Sequence, residues 1–306
     1  MYNYWGFGLH IASEIEFPEL LPFEFPNQPD VNISIGITPK LLLGEDVINR
    51  ARVSISPTEY LLKFLNIANY YVTDGNSIII DPMTGADEKS IRLFLLTNAM
   101  PAVLHQRDLI PLHASAIEHE DGVILFCGGS GTGKSTTVAM LQQKGYKLFS
   151  DDLCVLKADK SNGQVYAYSS YPSIHLWRDS FEKIGIEIPE DDNKIRPQLP
   201  KYARFCHDEF NVKPELIKRI FILRKLNKNI EVEIKELSSI AAFREIQRNN
   251  QHPVQMNSMK KRGIHFDIIS KITANTPVYD ISRVESRDTI TQLVSLVELN
   301  FTLNGQ

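Results

Sequence analysis

Cysteine is scarce. Cys127, Cys154 and Cys206 are the only three in 306 residues, too few and too scattered for a disulfide framework or a zinc site. Cys127 and Cys154 lie inside apolar runs and read as small core residues. No apolar run approaches the length that spans a bilayer, and Met1-Tyr2-Asn3-Tyr4-Trp5 shows no basic stretch followed by an apolar one. The expected setting is therefore reduced and cytoplasmic. An excess of positive charge is missing as well: the formal net charge is -4. The chain has no general attraction to nucleic acid or anionic lipid, so any phosphate site must be local. The basic cluster Lys260-Lys261-Arg262 is short and reads as a solvated face. Internal repeats and low-complexity linkers are absent. What remains is a globular chain whose 43% hydrophobic residues suffice for a core of one large domain or two modest ones.

The most informative stretch runs from Gly122 to Thr137. Val123 to Cys127 is an unbroken apolar run of strand length, glycines follow, and Val138-Ala139-Met140-Leu141 continues without a breaker to Gly145. The pattern predicts strand, loop and helix. The loop Gly128-Gly129-Ser130-Gly131-Thr132-Gly133-Lys134-Ser135 fits G-x-x-x-x-G-K-[ST], in which glycines let consecutive N–H groups turn inward around a polyphosphate. Unpaired N–H groups and the helix dipole favour an anion where the helix opens. Lys134 then reaches the outer phosphates, Ser135 offers its hydroxyl to Mg2+, and Thr136 completes the nucleotide-binding set.

Gly145 is placed to stop that helix. Tyr146 to Ser150 reads as a second strand with Asp151-Asp152 at its C-terminal end. In a βαβ unit adjacent parallel strands end at one sheet edge, which would bring both carboxylates to the phosphates. Adjacent aspartates commonly cap a turn; beside a phosphate loop they also offer one partner for Mg2+ and one base for an incoming hydroxyl. Leu109 to Ile117 reads as a single buried strand that could pair with the loop strand. His113 within it is either a hydrogen-bonded core residue or a site residue.

Before this unit, Trp5 to about Asp81 shows short strands separated by turns. Prolines at 18, 22, 26 and 29 exclude helix there, Val31 to Ile37 alternates, and Asp74-Gly75 marks a hairpin. This predicts a β-rich N-terminal region over 1–88, with packing or substrate docking rather than chemistry as its role. Ser90 to about His105 reads as a helix bent by Pro101. Beyond the aspartates, strands are expected at Val165–Tyr168 and Ser173–Trp177, a short helix at Asp179–Ile184 and a loop-rich excursion over Pro189–Pro214. Lys194, Arg196, Lys201 and Arg204 in that excursion read as solvated charge. Ile217–Leu223 should be a core strand with Glu231–Ile234 as its partner. A helix at Ser239–Arg248, a strand at Pro277–Ile281 and a helix at Ser286–Leu299 close the chain.

Leu112-His113-Ala114-Ser115, the loop Gly128 to Ser135, and Gly145 to Asp152 together resemble the C-terminal domain of HPr kinase/phosphorylase, in which a strand histidine, a P-loop and a paired-aspartate strand come in this order. Tyr171-Pro172-Ser173-Ile174-His175-Leu176-Trp177 and Trp5-Gly6-Phe7-Gly8-Leu9 resemble HPr-kinase-like proteins of peptide-modification clusters, including lasso-peptide precursor kinases. The resemblance implies an α/β fold with a P-loop kinase core of the HPr kinase / PEP carboxykinase type over 89–306. It implies Lys134 at the β-phosphate, Ser135 and Asp152 at Mg2+, Asp151 as the base and His113 against the phosphates or Asp151. The implied activity is ATP- and Mg2+-dependent phosphorylation of a serine hydroxyl on a peptide or small protein, such as a precursor peptide. A kinase of free serine or a similar small molecule, and a nucleotide-binding regulator without catalysis, are the competing readings. Homo-oligomerisation is compatible with the sequence.

Overall fold

Alternation decides the first third of the chain. The computed structural model describes residues 1–120, 122–226, 232–284 and 287–302. Strand Val31–Ile35 buries Val31 and Ile33 and turns Asn32 outward, as a half-buried strand should. It sits in a nine-stranded sheet built entirely within residues 2–82. The Asp74-Gly75 hairpin forms as expected: both residues take positive φ, +54° and +66°, and Thr73 pairs with Ser77 across the turn.

The expected helix begins at Glu88, where Asp87 accepts the Ser90 N–H at 2.8 Å. It is not one continuous α-helix. Glu88–Phe94 passes through a wide π turn at Leu95–Ala99 into Met100–Gln106. Pro101 supplies no N–H to the Thr97 carbonyl four residues back, and the His252 imidazole meets that oxygen instead at 2.6 Å.

A second sheet carries the glycine loop and gives a mixed α/β architecture. Its strands lie in the order Ile110–Leu112, Cys154–Ala158, Val165–Tyr168, Glu215–Leu226, Gly122–Cys127, Ala114–His119 and Leu148–Ser150, with Val278–Val284 also beside Glu215–Leu226. Strand Gly122–Cys127 is buried throughout. Val123, Leu125 and Cys127 pack with Ile246, Ile268 and Ile272 of helices Ser239–Arg248 and Arg262–Asn275 on one face. Ile124 and Phe126 pack with Val138, Leu141 and Val294 of the two helices on the other face. Burial on both faces explains why the run is continuously apolar rather than alternating.

Three expectations change here. Leu109 to Ile117 is two strands, not one: Ile110–Leu112 pairs with Cys154–Ala158, whereas Ala114–His119 pairs with the loop strand. The break falls at His113, whose N–H donates to the Asn249 carbonyl at 2.8 Å. Strand Leu148–Ser150 is not adjacent to Gly122–Cys127. Ala114–His119 lies between them, antiparallel to both, so the outer two remain parallel and still end at the same edge. The loop strand's direct parallel neighbour is Glu215–Leu226. Finally, Glu233–Glu236 pairs with Val278–Val284 instead of the central strand; Glu231 and Ser286 lie outside the described residues.

The loop helix Lys134–Gln143 ends as expected. Gly145, at φ +96°, donates to the Gln142 carbonyl, and Tyr146 donates to that of Leu141, the double bond of a Schellman stop. The 189–214 excursion contains one unexpected strand, Lys201–Phe205, paired with Ser173–Trp177. Among the described residues no helix is long and apolar enough to cross a membrane.

Candidate functional site

The loop strand delivers the chain to the sheet edge at Cys127, and two of the glycines that follow have no room for a side chain. A Cβ on Gly128 would stand 2.5 Å from the Leu223 carbonyl oxygen, and one on Gly133 would stand 2.6 Å from an Arg283 guanidinium nitrogen. Both glycines also hold positive φ, +144° and +101°. Side chains from elsewhere fix the loop: the Gly128 N–H donates to Asn249 Oδ1 at 2.7 Å, and Arg283 donates to the Thr132 carbonyl at 3.0 Å. Thr132 closes the inner turn by donating its N–H and hydroxyl to the Gly129 carbonyl, at 3.3 and 2.9 Å. The first helical bond runs from Thr137 N–H to Gly133 O at 2.8 Å. Ahead of it, the N–H groups of Lys134, Ser135 and Thr136 meet no acceptor among the described residues. With Ser130, Gly131 and Gly133 they border the mouth where an anion gains most from the helix terminus, whereas Gly128 and Gly129 lie behind it.

Lys134 is buried, and its ammonium donates to three acceptors: Gly128 O at 2.8 Å, Gly129 O at 3.2 Å and His113 Nε2 at 3.0 Å. That set fixes the histidine. Nε2 accepts, so Nδ1 carries the proton and donates to the Asp152 carbonyl at 2.8 Å. Burial, and then Lys134, push the His113 pKa below its ordinary value. The ring is therefore neutral, and the Asp152 carboxylate 3.6 Å from Nδ1 is a dipolar neighbour rather than an ion-pair partner. Burial lowers the Lys134 pKa too, opposed by Asp151.

The two aspartates face different ways. Asp151, 1% exposed, accepts from Ser115 at 2.5 Å and from Ser135 at 2.8 Å through Oδ1, and from the His175 N–H at 2.9 Å through Oδ2. Asp152 turns the other way on a left-handed backbone, φ +64°, and its half-buried carboxylate lines a cavity of about 330 Å³. Burial pushes its pKa up, but the surrounding charges, Lys201 foremost, outweigh burial and hold it below the usual carboxylate value. The same cavity is bordered by Ser130, Gly131, Gly133, Lys134, Ser135 and Thr136. Loop, His113 and Asp152 thus meet in one space, while Asp151 stands behind it, tied to Ser135.

The cavity wall supplies the local charge that the whole chain lacks: five cations, Lys134, Lys183, Lys201, Lys225 and Arg283, against Asp152 and Asp179. Of the four basic residues singled out in the 189–214 excursion only Lys201 lines this cavity. Lys194 pairs with Asp191 at 2.7 Å, Arg196 lies over the Phe94 ring at 5.5 Å and Arg204 is exposed. Sequence reasoning missed Asn249, Arg283 and His175. His175 sits on strand Ser173–Trp177, with two strands between it and the aspartates, and burial and Lys201 push its pKa down to about 4. Asn249 ends a distant helix and nothing in the pattern marks it.

The donor set suits Mg2+ bound mainly through phosphate. No cluster of three metal-binding side chains occurs among the described residues, and Mg2+ commonly takes one or two protein groups plus phosphate oxygens and water. The Ser135 hydroxyl, which donates its proton to Asp151 at 2.8 Å, would keep a lone pair for such an ion.

No family model matches the sequence, and no curated protein matches it. Among solved structures, the Hpr(Ser) kinase/phosphatase from Coxiella burnetii is similar, with 14% sequence identity over 62% of this chain and 90% of that one and a TM-score of 0.33.

Proposed function

We propose that the protein is an ATP- and Mg2+-dependent kinase that transfers the γ-phosphate to a serine hydroxyl of a peptide or small protein, in the manner of HPr-kinase-like enzymes. One observation carries the reading: the N–H groups that open helix Lys134–Gln143 and the Asp152 carboxylate border a single cationic cavity. An alcohol is a weak nucleophile at neutral pH, and a carboxylate within reach contributes roughly 10²–10⁴-fold as general base.

The geometry favours exchanging the roles that the family resemblance gives the two aspartates. Asp152 is the base, because its carboxylate faces the cavity and its lowered pKa keeps it ionised. Asp151 is the metal-side residue, because it stands behind the cavity and its Oδ1 takes the Ser135 hydroxyl proton, orienting the oxygen that would meet Mg2+. Lys134 and the loop N–H groups bind and orient the β- and γ-phosphates, and neutral His113 holds the Lys134 ammonium and the Asp152 backbone in register. Mg2+, when bound, would neutralise charge on the transferring phosphoryl group. In the transfer, a bond forms from serine Oγ to the γ-phosphorus as the bridging bond to the β-phosphate breaks. The electron pair leaves with ADP, and the hydroxyl proton passes to Asp152.

Incubation with γ-labelled ATP, Mg2+, pooled serine peptides and free serine tests the reading. Label in peptide supports it. Label only in free serine or in water replaces it with a small-molecule kinase or a nucleotide-driven regulator.

A further inference from the structure

The nucleotide cavity does not end at Asp152. His175 lines it and also lines a second cavity of about 150 Å³, floored by Leu93, Leu96 and Phe205. Pro18 lines that second cavity and a third, of about 570 Å³, beside Tyr2, Tyr4, Glu16 and Glu24. Three cavities thus lie in series from the glycine loop to the N-terminal sheet, each sharing one lining residue with the next.

His175 at the first junction is 5% exposed, and its Nε2 has no hydrogen-bond partner. A buried polar atom left unpaired is costly, and a ligand that hydrogen-bonds it removes that cost. The second cavity has charges on its rim, but they are internally matched. Arg92 pairs with Glu19 at 3.0 Å, Lys194 with Asp191 at 2.7 Å, and Lys89 donates to the Asp192 carbonyl at 2.6 Å. What it offers a ligand is its apolar floor. The third cavity differs: exposed Tyr2 stacks on buried Tyr4 at 6.3 Å, and Glu16 and Glu24 are exposed; Glu24 accepts from Asn3 at 3.2 Å, and neither carboxylate is paired with a cation among the described residues. Aromatic faces beside unmatched carboxylates attract a cation.

The geometry points to an extended acceptor polypeptide laid across all three cavities. Its serine hydroxyl sits beside Asp152 and His175, an apolar residue fills the middle cavity, and a lysine or arginine lies between Tyr2 and the carboxylates of Glu16 and Glu24. This rests on the kinase reading above and gives it a substrate class, a serine peptide with an apolar neighbour and a basic residue on the same side. A free amino acid would use the first cavity alone.

The test uses the full chain, γ-labelled ATP with Mg2+, and degenerate serine peptides in which one flanking position at a time is fixed. Pools with fixed lysine or arginine should take up label about tenfold faster than those with fixed aspartate or glutamate at one position. In the double variant Glu16→Lys/Glu24→Lys, whose sites are exposed and whose fold is checked by melting, that preference should disappear or invert. In Leu93→Arg the preference for an apolar residue at the intermediate position should be lost. Peptide labelling with no basic preference, or with one that survives the charge reversal, overturns the groove and leaves the kinase reading standing. Label that reaches no peptide overturns both.

Discussion

The Ser135 hydroxyl donates to Asp151 Oδ1 across 2.8 Å, tying the first turn of the loop helix to the end of a strand two places away in the sheet. Ser115 donates to the same oxygen and the His175 N–H to the other, so three donors hold this buried carboxylate in place behind the cavity. Asp151→Asn would set an amide N–H against one of these donors. The Mg2+ concentration for half-maximal transfer should rise at least about tenfold, and the unpaired buried donor should cost roughly 1–3 kcal/mol of stability. Mg2+ titration of the transfer rate and chemical denaturation check the two effects.

Lys134 satisfies three acceptors inside the protein and borders the cavity. Lys134→Ala removes the proposed phosphate partner and also releases His113. Titration with a fluorescent ATP analogue should show affinity reduced by about tenfold or more, with transfer falling further. Unchanged affinity would remove Lys134 from the phosphate site.

Asn249 holds the loop from outside it, accepting the Gly128 N–H through Oδ1 while its own carbonyl accepts the His113 N–H. Asn249→Ala should lower stability by about 1–3 kcal/mol, since the Gly128 N–H is buried. It should weaken nucleotide binding although Asn249 does not line the cavity. Asn249→Asp, which keeps the acceptor, should recover most of the binding. Urea denaturation with parallel nucleotide titrations separates these outcomes.

Acid should destabilise the fold through histidines held neutral by burial. Burial pushes His105 to about 3 and His265 and His175 to about 4, and all three are buried. Their folded-state pKa values lie below the unfolded value of about 6.5, so protons bind the unfolded chain first. Stability is full above about pH 6.5 and falls as the pH drops toward 4, with a slope of roughly 1.4 kcal/mol per pH unit for each histidine that stays neutral. Melting temperatures between pH 7 and pH 4.5 measure it. Replacing His265 with Gln should flatten the slope.

The glycine loop, its strand and its helix were legible in the sequence because their residues are constrained locally, by positive φ, by helix start and stop signals and by burial on both sheet faces. Strand order was not. Insertion of Ala114–His119 between the loop strand and Leu148–Ser150 is a tertiary choice, so the aspartates reach the expected sheet edge without the direct parallel pairing of a simple βαβ unit. Helix Arg262–Asn275 was missed because its buried aliphatic positions, Ile268, Ile269 and Ile272, are β-branched and follow Gly263 near its start. Within the site, Lys134, Ser135 and the aspartate pair stood out by motif spacing, while for His113 spacing left a core and a site reading open and only the family resemblance favoured the site. Which aspartate faces the cavity follows from a single left-handed residue, Asp152, and adjacent identical side chains give no sign of that turn. Asn249 and Arg283 reach the loop from 121 and 151 residues away along the chain, where no local pattern marks them.

The most direct test is single-turnover transfer from γ-labelled ATP to serine peptides by the wild-type chain and by Asp152→Asn. The account predicts nucleotide binding within about twofold of wild type and a transfer rate lower by roughly 10²–10⁴-fold. Transfer by Asp152→Asn at the wild-type rate, or the full loss appearing instead in Asp151→Asn alone, would contradict it.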